Sequence, residues 1–325
     1  MPHAIRIHQH GGPEVMQWLE VETPEVGANQ VLVGNQAVGL NFIDVYYRTG
    51  LYPHPLPHGL GMEGAGEVLA VGAGVTHVAP GDRVAYALGN LGAYGEQHLT
   101  AASNVFKLPD DVSYETGAAL ALKGLTVRYL LRKTYPVQAG QTILFHAAAG
   151  GVGLIACQWA RALGVKLIGT VSSPAKAELA LAQGAWAVID TSRDDVVSRV
   201  RDLTDGAGVP VVYDSVGKDT WEMSLDCLQP RGLLVSFGNA SGPVTGVNLG
   251  ILATKGSLYV TRPTLGDYMA TPAMAAEAAA DLFDQVRQGH VQAKVAQRFS
   301  LRDAAAAHRA LESRQTTGST VLTLD

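Results

Sequence analysis

The chain has 325 residues, of which 47% are hydrophobic and 16% charged, and its formal net charge is −5. A length of this order suits two domains with sizeable cores, and the composition excludes a disordered chain. The acidic balance argues against non-specific nucleic-acid binding, which draws on basic surface.

The opening stretch "MPHAIRIHQHGG" lacks the apolar core of a secretory signal, and no apolar run reaches membrane length. The two cysteines, Cys157 and Cys227, have no partner spacing and fit a reducing compartment. The expectation is a cytoplasmic enzyme. Over the first 120 or so residues, "QVLVGNQAVGLN", "GAGEVLAVGAGV" and "GDRVAYA" are short apolar runs cut by Gly and Pro, as in a small barrel or twisted sheet. From "YETGAALALKGLTVRYLL" onward the pattern changes. The apolar strands "QTILFHAA", "KLIGTV", "WAVID", "VPVVYDSVG" and "GLLVSFG" alternate with helical stretches, which predicts a parallel sheet covered on both faces, running to about Thr264. An Ala-rich helix (271–288), a segment near "KVAQRFS", a helix over 301–313 and a last strand, "STVLTLD", follow. There is no internal repeat.

The first strand of the α/β segment, Ile143–Phe145, leads through "AAAGGVG" into a helix expected over Leu154–Leu163. A dinucleotide fingerprint needs small residues at three positions, here Ala148, Gly150 and Gly153. The first permits the tight turn, the second a close approach of backbone N–H groups to a pyrophosphate, and the third close packing of helix on strand. Alanine replaces the first glycine. An anion would sit at the helix N-terminus, where free N–H groups and the helix dipole favour it. The same turn also fits simple packing of helix on sheet. The next strand ends in Thr170, Val171, Ser172 and Ser173, with no acid, and Lys176 follows. An acid there would bind ribose hydroxyls and repel a 2′-phosphate; hydroxyls and a lysine would bind the phosphate. The cofactor expected is NADPH. Ser173 and Pro174 also read as an ordinary helix start.

"NFIDVYYRTGLYP", "LGMEGAGEV", "GDRVAY", "LKGLTV", "HAAAGGVGLIACQWA", "VVYDSVG" and "GLLVSFGNASGPV" together resemble the zinc-independent quinone oxidoreductases of the medium-chain dehydrogenase/reductase superfamily, which include zeta-crystallin-like and bacterial NADPH:quinone reductases. The resemblance runs in order over nearly the whole chain. It implies an α/β protein: a GroES-like β-barrel catalytic domain over residues 1–122, completed by 265–325, and a doubly wound Rossmann domain binding NADPH over 123–264. The active site is then expected in the cleft where the two meet. The zinc alcohol dehydrogenases are similar too, but carry an early Cys and a His in "GHE". The matching places here hold Leu40–Asn41 and Met62, and the four-cysteine lobe is missing, so no metal site is expected. In "HPLPHG", prolines 53, 55 and 57 prevent a helix that would align His54 with His58.

The resemblance also implies roles. Asn41 and Tyr46 fall near the nicotinamide ribose and substrate, with Tyr52 beside them; these three are the catalytic candidates, and packing within the barrel is the competing role for the tyrosines. Thr126 falls under the nicotinamide ring, or simply at a helix N-terminus. Gly150, Gly151 and Val152 fall at the pyrophosphate, and Ser172, Ser173 and Lys176 at the 2′-phosphate. Ser215, Val216, Phe237, Gly238 and Ser241 fall at the adenosine ribose and nicotinamide, or in plain strand-to-loop turns. Relatives often carry a tyrosine facing the adenine where this chain has Asp190 and Thr191; Arg193 is the residue placed to compensate. The edge segment Gly250–Pro263 implies a homodimer.

The activity implied is hydride transfer to a quinone. A hydroquinone anion has the acidity of a phenol, near a tyrosine's ~10, so its formation needs no strong acid. Reduction of an activated C=C bond in an enone or alkenal is the alternative on the same scaffold. A structural or RNA-binding role, known among zeta-crystallin-like relatives, is opposed by the acidic balance and the lack of an Arg-rich stripe.

Overall fold

The structure is a computed structural model and describes residues 1–324. It divides into two compact units. One comprises Met1–Leu125, Met269–Phe283 and the chain from Ala293 onward; the other comprises Thr126–Tyr268 and Asp284–Gln292.

In chain order the first unit opens with strands β1 (His3–Ile7), β2 (Gln17–Glu20) and β3 (Gln30–Gly39), then helix α1 (Phe42–Thr49). Strands β4 (His58–Gly59), β5 (Glu63–Val71), β6 (Arg83–Ala87), β7 (Gln97–Ala101) and β8 (Val105–Lys107) follow, and then helix α2 (Tyr114–Tyr129). The second unit holds β9 (Thr142–Phe145), α3 (Gly151–Ala162), β10 (Lys166–Val171), α4 (Pro174–Ala182), β11 (Ala187–Asp190), α5 (Val196–Leu203), β12 (Val209–Asp214), α6 (Trp221–Asp226), β13 (Leu228–Ser236), α7 (Gly250–Thr254) and β14 (Tyr259–Thr261). Helix α8 (Pro272–Arg287), strand β15 (Val295–Ser300), helix α9 (Ala304–Glu312) and strand β16 (Ser319–Thr323) end the chain.

The second unit's sheet is wholly parallel, in the order β11-β10-β9-β12-β13-β14. This is the doubly wound order, with its switch point between β9 and β12. Its strands carry unbroken apolar runs because both faces are covered: Leu144, Ile168, Ile189, Val212 and Leu234 are fully buried. Residues 284–292 belong to this unit because Gln158 of α3 holds them. Its Nε2 donates to the Gln292 carbonyl at 3.1 Å, and its Oε1 accepts the Gln292 N–H at 2.7 Å.

In the first unit, β16 and β15 extend a mainly antiparallel sheet through β3, β5, β6 and β8, with β7 also pairing on β3. Strands β2, β1 and β4 form a smaller sheet. Val31, Val33, Val38, Leu60, Val84 and Tyr94 form its core.

Two buried histidines make this core acid-sensitive. His98 stacks on Tyr86 with ring centroids 4.8 Å apart, and burial pushes its imidazole from 6.5 down to about 4. His308 is pushed down to about 3, by burial and then by Arg48. Between the folded and unfolded values the unfolded chain binds more protons, so this stability is present above 6.5 and lost as pH falls toward 4. Asp44 has the opposite sign: burial raises it from 3.8 to about 7, so its contribution is lost as pH rises through that window. With two histidines set against one carboxylate, the expected net effect of acid is destabilising. For His98 alone this amounts to roughly 3 kcal/mol. His98→Phe keeps a ring on Tyr86, and thermal melts should show a shallower fall in Tm between pH 6.5 and 4 than in the wild type.

Candidate functional site

The glycine turn leaves β9 at the switch point. Ala147 takes a left-handed φ of 55° there, and the Ala148 N–H donates to the Thr170 carbonyl at 3.0 Å, tying the turn to β10. Helix α3 begins at Gly151 rather than at the expected Leu154, because Gly150, in extended backbone with φ −78° and ψ 172°, serves as its N-cap. No side chain caps that helix. First-turn N–H groups have no partner within their own helix, and an uncapped turn is open to an anion. The glycines differ in what they make room for. A Cβ on Gly153 would lie 2.5–2.6 Å from backbone atoms of Ala147 and Ala148, so Gly153 is fixed by packing. A Cβ on Gly150 would meet only the Ala147 carbonyl oxygen, at 3.3 Å. The protein itself scarcely needs a glycine at 150, which fits a phosphate group approaching that backbone. Gly151 and Val152 lie half-buried in the same first turn.

At the end of β10, Ser173 caps α4: its Oγ accepts the Lys176 N–H at 3.4 Å. The Lys176 ammonium donates to Ser172 Oγ at 3.2 Å, so a lysine and a hydroxyl stand together at the helix N-terminus. Thr191 is exposed and donates its hydroxyl to the Val171 carbonyl at 3.0 Å. Arg193 is bound to Asp190, Nη2 to Oδ2, at 3.1 Å.

The next two strand ends are stitched together. The Asp214 carboxylate accepts the N–H groups of Val216 and Gly217 at 2.8 and 3.0 Å, and the hydroxyls of Thr220 and Ser224 at 2.7 and 2.8 Å. The Phe237 N–H donates to the Asp214 carbonyl at 2.7 Å, and the Ser241 N–H and hydroxyl both donate to the Val216 carbonyl at 2.8 Å. Gly238 is required here, since a Cβ would lie 2.4 Å from the Ser215 carbonyl oxygen. Ser215, Val216, Phe237, Gly238 and Ser241 thus form one double loop. His146 braces its base. Ser224 gives its proton to Asp214, so His146 Nε2–H donates to Ser224 Oγ at 3.0 Å and Nδ1 accepts from Thr170 Oγ1 at 2.9 Å. Burial keeps that imidazole below its usual value. Thr126 lies within α2, near its last turn and half-buried, rather than at a helix N-terminus.

In the first unit, Asn41 is the N-cap of α1, and its N–H donates to Asp44 Oδ2 at 2.9 Å; Gly50, with φ 79°, ends the helix. Tyr46 is buried on α1, Tyr52 is half-buried just beyond it, and their rings meet edge-on with centroids 5.2 Å apart. The Tyr52 N–H donates to the Tyr46 carbonyl at 3.0 Å. Tyr46 and Tyr52 thus stand together, while Asn41 stands at the start of the same helix with its side chain on Glu63. Asn41 Nδ2 also donates to Glu63 Oε2 at 2.7 Å, and Lys123 Nζ reaches the same oxygen at 2.8 Å. Leu40 and Met62 are buried apolar residues, and among the described residues no group of three or more His, Cys, Asp or Glu is placed to hold a metal. His54 and His58 have ring centroids 4.8 Å apart on the loop after α1.

Sequence reasoning singled out neither Glu63 and Lys123 nor Asp214 and His146. The signal for Asp214 was present, as an acid closing an otherwise apolar strand. For Glu63 and Lys123, sixty residues apart, the local sequence gave none.

Two family models match: an alcohol dehydrogenase GroES-like domain over residues 27–110 and a zinc-binding dehydrogenase over 151–282. A quinone oxidoreductase of Pseudomonas aeruginosa is 62% identical over 323 residues, covering 99% of each chain. A 2-haloacrylate reductase of a Burkholderia species is 45% identical, again with 99% of each chain covered. The crystal structure of Escherichia coli quinone oxidoreductase complexed with NADPH superposes with a TM-score of 0.97 at 56% identity over 99% of each chain. With side chains that cannot ligate zinc at Leu40 and Met62 and an uncapped glycine turn at the switch point, the chain belongs to the zinc-independent, zeta-crystallin-like quinone oxidoreductases of the medium-chain dehydrogenase/reductase superfamily.

Proposed function

We propose that the residues described above divide the work of an NADPH-dependent quinone oxidoreductase. The chain is such an enzyme. The observation that carries the reading is the uncapped N-terminus at Gly150 followed by the Lys176–Ser172 pair, which suits a pyrophosphate and then a 2′-phosphate. NADPH, when bound, supplies the hydride. Gly150, Gly151 and Val152 hold the pyrophosphate by backbone N–H groups. Ser172, Ser173 and Lys176 hold the 2′-phosphate, with Thr191 at its edge. The double loop of Ser215, Val216, Phe237, Gly238 and Ser241 borders the riboses and the nicotinamide, and Thr126 supports that ring. The NADPH-binding domain is the second unit, Thr126–Tyr268 with Asp284–Gln292 rather than the expected 123–264, and the first unit is the catalytic domain. There Asn41 orients the cofactor, and Tyr46 and Tyr52 hydrogen-bond the oxyanion developing on the acceptor.

The 2-haloacrylate reductase at 45% identity keeps activated C=C reduction as the second reading. Steady-state NADPH oxidation with matched quinones and enones decides between them. Quinones should be preferred and activity should survive exhaustive chelation; enone preference would reverse the assignment.

Strand β14 ends its sheet with Tyr259 61% and Val260 37% exposed. An exposed apolar edge strand is an association hazard that isologous pairing removes, so a homodimer through this edge is proposed. Light scattering at micromolar concentration should give twice the chain mass. Among the described residues no helix is long and apolar enough to cross a membrane, and both cysteines are free and buried; a cytoplasmic location is proposed.

A further inference from the structure

We propose that Arg48, His308 and Tyr94 are positioning residues for Tyr46: a hydrogen-bond chain that runs one way, from a buried guanidinium to the side chain of Asp44, pins the back of α1 to α9 and so sets where the Tyr46 ring stands.

Asp44 and Arg48 stand four residues apart on α1, as His308 and Glu312 do on α9, so each pair shares one helix face. Tyr46 lies about 200° round the helix from Asp44, on the other side of α1, where its ring meets Tyr52. Arg48 is 1% exposed, and Asp44, Tyr94 and His308 are fully buried. Arg48 donates from Nη1 and Nη2 to the two Glu312 oxygens at 2.9 and 2.7 Å, and from Nε to the Gly11 carbonyl at 3.0 Å. Its Nη1 also lies 2.9 Å from His308 Nδ1. A guanidinium only donates, so Nδ1 accepts. The imidazole is neutral, pushed down to about 3 by burial and then by Arg48. Its one proton is therefore on Nε2, which donates to the Tyr94 oxygen at 3.1 Å. Tyr94 in turn gives its proton to Asp44 Oδ2 at 2.8 Å, the oxygen that also takes the Asn41 N–H at 2.9 Å. Each donor is fixed by the one before it.

Tyr94 is itself held at its backbone: its N–H donates to the Leu60 carbonyl at 2.8 Å, and its carbonyl accepts the Ile5 N–H of β1 at 2.7 Å. Gly61, at φ 87°, makes room for the ring, since a Cβ there would lie 2.2 Å from Tyr94 Cδ1. Buried ion pairs contribute little net stability against apolar side chains of similar volume. What such a chain adds is one placement. Apolar faces can slide over each other, whereas a shift of α1 leaves buried donors and acceptors unpaired. This inference rests on the proposed reading that Tyr46 hydrogen-bonds the acceptor.

The test is a double-mutant cycle on kcat with a quinone at saturating NADPH, with thermal melts to establish folding. Tyr94→Phe keeps the ring beside Gly61 and removes only the hydroxyl. It should cost about tenfold in kcat by misplacing Tyr46. In a Tyr46→Phe background the same change should cost less than about twofold, because Tyr94 acts through Tyr46. Equal losses in the two backgrounds, or no loss in either, overturn the proposal. Tyr46→Phe alone at the wild-type rate overturns instead the reading that Tyr46 serves the acceptor. A second arm replaces the middle of the chain. His308→Leu offers neither donor nor acceptor and should lose as much as Tyr94→Phe. His308→Gln, whose amide offers one of each, should return kcat to within about threefold of wild type. A folded His308→Leu at the wild-type rate, or a His308→Gln no better than His308→Leu, overturns the one-way chain.

Discussion

Gly150→Ala should fold as well as the wild type and bind NADPH about ten- to a hundredfold more weakly, the cost of losing one charge-assisted backbone hydrogen bond. Gly153→Ala should do the reverse and damage the fold first. The two glycines lie in the same turn, three residues apart, and the fingerprint already assigns Gly150 to the pyrophosphate and Gly153 to packing. The structure separates them. At Gly150 the backbone is extended, with φ −78°, a conformation open to any residue, and the added methyl meets one carbonyl oxygen at 3.3 Å. A shift of a few tenths of an ångström in Ala147 accommodates it. A methyl on this N-cap residue, beside the first N–H groups of α3, is expected to hold a phosphate oxygen off them. At Gly153 the methyl lands 2.5–2.6 Å from backbone atoms of Ala147 and Ala148, which cannot rotate away. Overpacking against backbone costs about 1–3 kcal/mol or more, a fall in Tm of roughly 2–4 °C or more in a chain of this size. Thermal melts and NADPH titrations on the two variants check both halves. A Gly150→Ala protein with wild-type affinity would remove the pyrophosphate from this turn.

What the sequence made legible follows from the range of the interactions. The parallel sheet was readable because β9, β10, β12 and the Leu233–Val235 half of β13 carry the apolar runs of strands covered on both faces. The lysine and serines after β10 were readable because one helix start gathers Ser172, Ser173 and Lys176 within five residues. The start of α3 was misjudged by three residues because glycine's poor helix propensity was weighed without the N-cap role of Gly150. Glu63 and Lys123 were missed for another reason. They stand sixty residues apart, and only the pairing of β3 with β5 and the packing of α2 beside them bring carboxylate, ammonium and the Asn41 amide to one point. Likewise Asp214 reads locally as a strand end. Its work on Val216, Gly217, Thr220 and Ser224 appears only once the loop after β12 is folded.

Lys176→Ala should erode the preference for NADPH over NADH. Lys176 is the third residue of α4, where the helix dipole is positive and a cation is unfavourable by about 0.3–1 kcal/mol. Its ammonium donates to Ser172 Oγ at 3.2 Å. An anion arriving at this helix start would pair with the lysine. Two or three charge-assisted bonds to a 2′-phosphate at ~1.5 kcal/mol each, discounted for exposure, leave roughly 2–4 kcal/mol of discrimination. That corresponds to about thirty- to a thousandfold in kcat/KM. Thr191, which donates its hydroxyl to the Val171 carbonyl, adds no aromatic surface for the adenine, and Arg193 is engaged with Asp190. Both facts place the expected ratio toward the lower end. The loss in Lys176→Ala should fall on KM for NADPH with kcat nearly unchanged, the signature of binding shared equally by ground and transition states. NADH kinetics should stay within about twofold, since NADH has no phosphate for the lysine to hold. Steady-state kinetics with both cofactors, together with a thermal melt of the free variant, make the comparison. Equal losses for NADPH and NADH, or a wild-type enzyme indifferent between them, would move the 2′-phosphate away from this helix start.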